Sequence, residues 1–116
     1  MRLIVLIGLG LLSLTVHAED WQEKKANYFA DQATNEFKLD SVQRQSVYAY
    51  KVNQYSLYHE LTKKNESGEY PSDQAFNLAK AEFWRDQKKE LANIIGVQMD
   101  ELNAFLNKMR KELPKV

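Results

Sequence analysis

Few residues of this chain are equipped for covalent or metal chemistry. The 116 residues include no cysteine and two histidines, His17 and His59. A nucleophilic relay needs a histidine base between a Ser or Cys and an orienting acid. His59 stands alone in a tyrosine-rich helical stretch, where an imidazole serves packing or surface. A zinc site gathers several His, Cys or carboxylate ligands. His59 and Glu60 are sequence neighbours and diverge by about 100° on a helix. Met99 and Met109 sit ten positions apart, so metal sensing would need ligands from a distant helix. The acidic neighbours Asp100-Glu101, and Glu66 near Glu69, do not form an acid/base couple unaided. No glycine-rich phosphate loop occurs. The expectation is no enzyme, no catalytic residue, no metal and no cofactor.

What remains is aromatic surface. Five of the six tyrosines lie between Tyr28 and Tyr58. Tyrosine joins a large apolar body to a polar tip, which suits an interface that is sometimes wet. Tyr48, Val52, Tyr55 and His59 recur at helical spacing and form one candidate strip for binding protein, with Trp84 as its expected neighbour. Val47, Tyr50, Tyr58 and Leu61 share a second face of the same helix, with Leu57 at its edge. An apolar arc this wide touches more than one neighbour. Gln43 and Gln54 project toward that second face and need hydrogen-bond partners there.

The elements that position these residues are all helical. A first helix is expected from Asp20 to about Glu36, with Asp20 as cap and Glu23 three residues on. Its apolar line is Trp21, Tyr28, Phe29, Ala33 and Phe37, with the Lys25 stem among them. A second begins after Asp40, with Gln43 in capping-box spacing, and continues to about Lys64. Gly68 and Pro71 mark a loop. Ser72 caps a third helix that reaches about Ile95, with Phe76, Ala79, Phe83, Leu91 and Ile94 as its stripe. Gly96 interrupts the pattern. A fourth starts near Gln98, presents Leu102, Phe105, Leu106, Met109 and Leu113, and is stopped by Pro114. No segment alternates with strand period. The fold class is all-α: four helices in two hairpins, closing into a bundle or splaying into a cradle-like layer.

The first 18 residues have the layout of a secretory signal peptide: Arg2, an apolar run from Leu3 to Leu14, then small residues around Val16-His17-Ala18. That run is too short for a bilayer, which needs about 20 apolar residues. Cleavage near Ala18 is expected to release residues 19–116 as a single domain, periplasmic or secreted, with no membrane span. The released part carries 15 basic against 16 acidic residues. Such a balance offers no electrostatic reason to bind nucleic acid or an anionic membrane. Without cysteine there are no disulfide staples, so the domain relies on apolar burial, with a homodimer as a second source.

The start of the second helix, Leu39-Asp40-Ser41-Val42-Gln43, resembles the Leu-Thr-x-x-Gln repeat of the Spy/CpxP-like periplasmic proteins. Leu39 and Gln43 match, and Asp40 replaces Thr while keeping its capping chemistry. Val97-Gln98-Met99-Asp100-Glu101 opens the fourth helix as a more divergent copy. There Val97 stands for Leu, Gln98 for Thr and Glu101 for Gln. The resemblance implies a cradle-shaped helical dimer that holds unfolded clients without ATP, as a chaperone or envelope-stress adaptor. The alternative is a dedicated partner-binding protein: an inhibitor, an immunity protein or a metal-responsive sensor subunit. Both readings make other proteins the partners, either many clients or one envelope protein.

Overall fold

The structure, a computed structural model, describes residues 19–116; the expected leader lies outside the described residues. The described residues form four α-helices: α1 (Asp20–Phe37), α2 (Ser41–Glu66), α3 (Asp73–Ile95) and α4 (Met99–Glu112). A 3₁₀ turn, Leu113–Lys115, follows. The described residues contain no strand. Pro114 follows the last α-helical residue, Glu112, by two positions and stops α4 as expected. It sits inside the tighter turn, where its missing N–H costs little.

Local capping explains most helix ends. Asp40 Oδ1 accepts the Gln43 N–H at 2.7 Å, and Gln43 Oε1 accepts the Asp40 N–H at 3.1 Å. This is the expected capping box. Ser72 Oγ accepts from the Ala75 N–H at 3.1 Å. The start of α1 differs from expectation. Glu19 is the capping residue, its N–H donating to Gln22 Oε1 at 3.0 Å, and Asp20 is the first helical residue. One residue of shift still leaves Asp20 and Glu23 in the first turn, where the helix dipole favours them.

Two of the three connections are built alike. Lys38 (φ 57°) closes α1 and Gly96 (φ 81°) closes α3, both left-handed. The next residue then donates back to the last turn: Leu39 N–H to Thr34 at 3.2 Å, Val97 N–H to Ala92 at 3.3 Å. Leu39 and Val97 pack against the core, and Asp40 and Gln98 cap the following helix. The two motif-like segments are thus the same three-residue corner, used twice. Gly96→Ala is expected to cost about 1 kcal/mol, because an L-residue resists positive φ. No atom crowds the added Cβ, so the penalty is purely conformational. Lys38→Gly should raise stability by less than that, since the unfolded chain gains freedom too. Urea denaturation of the two variants reads both signs; Gly96→Ala matching the parent would remove the conformational account.

The helices pack as antiparallel neighbours. Arg44 on α2 donates to Asp31 at 2.8 Å and to Asn27 at 3.1 Å on α1. Gln43 Nε2 reaches the Ile94 and Ile95 carbonyls at 3.3 and 3.5 Å, covering the end of α3. On the other side α4 closes onto α1 through Phe105, whose ring meets Phe29 and Phe37 edge-on. The core gathers Phe29, Ala30 and Ala33, then Val47 and Tyr50, Leu91 and Ile95, and Leu102, Phe105 and Met109. Ile95, not Ile94, is the deep residue at the end of α3.

All four helices thus share one core at one end only. On α2 the last buried residue is Gln54, and on α3 the first is Gln87. Beyond them, Tyr55–Glu66 and Asp73–Asp86 continue as a two-helix arm with no buried residue. The molecule is a closed bundle at its base and an open hairpin at its tip. No helix among the described residues is long and apolar enough to cross a membrane.

Candidate functional site

The base of the arm carries a buried polar network. Tyr50, Gln54 and Gln87 are each less than a tenth exposed. Tyr50 Oη donates to the Gln87 carbonyl at 3.0 Å. Gln54 Nε2 donates to Tyr50 Oη at 3.0 Å and to Gln87 Oε1 at 3.3 Å. The partners that Gln54 required are thus supplied within its own helix and by α3. Desolvation, with Glu90 nearby as a second cause, pushes the Tyr50 phenol well above its usual range. It stays protonated and holds its bond to α3.

Lys51 joins this network from the neighbouring position. Its Nζ donates to Gln54 Oε1 at 2.8 Å. The ammonium also lies 4.8 Å from the Phe29 ring centre and 5.2 Å from that of Tyr55. Both are cation–π distances. Among the described residues no carboxylate comes within ion-pair distance of it. Burial alone lowers its pKa from 10.5 to about 8.

A cleft of about 480 Å³ opens above this network. Phe29, Leu106, Met109 and Leu113 give it apolar walls, Trp84 stands at its edge, and Lys51, Lys88 and Arg110 bring three positive charges. No Asp or Glu lines it.

The arm adds an aromatic knot. Tyr58 lies 5.9 Å from Phe83 and 5.3 Å from Trp84, and the Phe83 and Trp84 rings meet edge-on at 4.9 Å. Further out, Tyr70 packs on Phe76 at 5.5 Å, and the Lys80 ammonium covers the Phe76 ring. Trp84 keeps 41% of its surface exposed and Leu78 keeps 64%.

The expected strip is divided by the fold. Tyr48 packs against the core. Tyr55 meets Trp21 of α1 edge-on at 5.2 Å, and desolvation raises its phenol. Val52 is half-buried and His59 is exposed. Trp84 joins Tyr58 and Phe83, so it belongs to the second face of α2. On the arm Trp84 is the exposed ring, with Tyr58 and Phe83 half-buried against it and Leu57 and Leu78 exposed along the helices; on α1, Trp21 is exposed as well. Of the motif-like residues, Gln43 acquires a tertiary role at the end of α3. Glu101 Oε1 accepts the Gln98 N–H at 3.4 Å and does local work only. No group of three or more His, Cys, Asp or Glu side chains gathers among the described residues.

Lys51 is the functional candidate that periodicity does not reveal, because partners from other helices make it special. Gln87 did carry a signal, as a polar residue inside the apolar stripe of α3. Searches against protein-family models, curated proteins and solved structures find nothing that matches this chain.

Proposed function

We propose that this chain is an exported protein-binding protein, a chaperone or envelope-stress adaptor that holds apolar segments of partly unfolded proteins on the arm of α2 and α3. One observation carries the reading: both halves of the arm bear large apolar rings, and neither buries a residue. A hairpin that exposes this much apolar surface beyond its bundle suits contact with other chains. Shallow, sequence-tolerant contacts to rings and an exposed Leu78 fit many clients better than one. The leader-like residues 1–18 and the two corners resembling the Spy/CpxP-like repeat support export and class. A homodimer joined along the arm would compete with clients for the same rings.

The clustering of Tyr58, Phe83 and Trp84 supports the second reading, a dedicated partner, since central aromatic clusters carry most of the energy at specific interfaces. Aggregation of an unrelated, thermally unfolding protein separates the two. Near-stoichiometric amounts of the parent should suppress light scattering. The double variant Tyr58→Ser with Trp84→Ser should lose most of that protection while retaining its helical circular dichroism. Absence of protection at fivefold excess removes the chaperone reading. A single envelope protein captured on immobilised chain, in place of many, then selects the dedicated partner.

A further inference from the structure

We propose that the cleft lined by all four helices at the base of the arm binds a small amphipathic monocarboxylate of the medium-chain fatty acid type, with Lys51 as its anion anchor. The inference stands on the cleft and does not depend on the arm's role in binding protein.

Size is the first argument. A volume of about 480 Å³ lies within the usual range of small-molecule sites, roughly 300–1,000 Å³. Charge is the second. Three cations and no acid line the cleft, which leaves it electrostatically unbalanced in a chain whose overall charge is near zero. Glu112, the carboxylate closest in sequence to the α4 wall, is engaged elsewhere and accepts the Tyr28 hydroxyl at 2.6 Å. Glu90 bears on Tyr50 from α3 but does not line the cleft.

Lys51 is the most informative member. If its stem only covered Phe29, a methionine would do so without desolvating a charge. The ammonium instead rests between two rings, with one of its three donors on Gln54. Its remaining donors are available to an acceptor in the cleft. A desolvated charge that lines a cleft and has no counter-ion is the kind of group that marks a ligand site.

The wall chemistry sets the ligand class. Phe29, Leu106, Met109 and Leu113 suit an alkyl body. Lys51 and Lys88 are both half-buried, but of the two only Lys51 is held against aromatic rings and desolvated, while Arg110 is exposed and also donates to Asn107 at 2.7 Å. One desolvated cation matches one negative charge. A phosphate or dicarboxylate would bring a second charge into apolar surroundings at high desolvation cost.

Calorimetric titration of the purified protein with octanoate, 1-octanol and octylammonium tests the assignment. Octanoate should bind at least tenfold more tightly than 1-octanol, and octylammonium should not bind. Lys51→Met should bring octanoate down to the level of 1-octanol, whereas Lys63→Met on the distant arm should leave it unchanged. Leu106→Trp, which fills the cleft with Lys51 intact, should abolish binding of both octanoate and 1-octanol. Equal binding of acid and alcohol, or full octanoate affinity in Lys51→Met, overturns the proposal. So does an absence of octanoate binding. Tighter binding of a short peptide with a free C-terminal leucine would reassign the cleft to chain ends and equally overturn it.

Discussion

Phe105→Ala is expected to cost about 3–5 kcal/mol, the usual penalty for emptying a buried phenylalanine site. The side chain is 3% exposed. Its ring meets Phe29 at 5.4 Å and Phe37 at 5.3 Å, both nearly edge-on, and each such pair adds to simple area burial. These contacts join the last helix to the first. Around them the closure of α4 on α1 is thin: the Tyr28–Glu112 hydrogen bond and the Lys25 ammonium on the Leu113 carbonyl lie at its margin. A domain of this size is stable by only about 5–15 kcal/mol in total. The variant should therefore lose a large share of its stability in guanidinium denaturation. It should also expose α4 to proteolysis before the other helices. A loss under about 1 kcal/mol would show that α4 is docked on the bundle without belonging to its cooperative core.

Lys51→Met is expected to act in the opposite direction and raise stability by about 1–2 kcal/mol. In the folded chain the Lys51 pKa falls to about 8 because its ammonium is desolvated without a carboxylate partner. In the unfolded chain it returns to about 10.5. Between those values the unfolded state binds more protons, so raising the pH favours folding. The penalty is fully present below pH 8 and is relieved as pH rises toward 10. A shift of this size corresponds to at most about 3 kcal/mol, and partial exposure of Lys51 reduces it. Above pH 10 the sign reverses. Tyr50 and Tyr55 are raised by desolvation, and Tyr28 by its bond to Glu112, so these phenols ionise first in the unfolded chain. The other charged groups facing the cleft are Lys88 on α3 and Arg110 on α4. The parent's melting temperature should thus climb between pH 8 and 10 and then fall. Lys51→Met should lack the climb and keep the fall. An identical climb in both proteins would place its origin elsewhere. The same substitution removes the proposed carboxylate anchor, so stability gained and octanoate lost in one variant would mark a residue retained for binding.

The helices and their corners were legible because the forces that make them are local. Asp40 with Gln43, Ser72 with Ala75, and Gly96 at positive φ act across three or four residues. Spacing alone exposes such pairs. The Asp20 cap was off by one position because Glu19 and Gln22 offer an equivalent pair one step earlier. The apolar stripes were also legible: Phe29, Val47, Leu91, Leu102 and Phe105 all enter the core. Ala26, Ala30 and Ile95 were not, since a stripe read from large residues overlooks small ones between them and cannot fix its own centre to better than one position. The candidate strip fared differently. Tyr48, Val52, Tyr55 and His59 do share a side of α2, yet α1 covers part of that side through Trp21. Trp84 and the half-buried Tyr58 and Phe83 lie on the other side.

The amino-acid sequence by itself determined that residues 19–116 form four capped helices with short connections. Caps and helical stripes are short-range consequences of residue type. Only the tertiary structure decided that the helices close at one end and open at the other, which rings stay uncovered, and that Lys51 is held among aromatic rings above a cleft. Each of those outcomes depends on which surfaces meet across separations of tens of residues. A lysine reads as solvent-facing in any one-dimensional pattern until another helix removes the solvent.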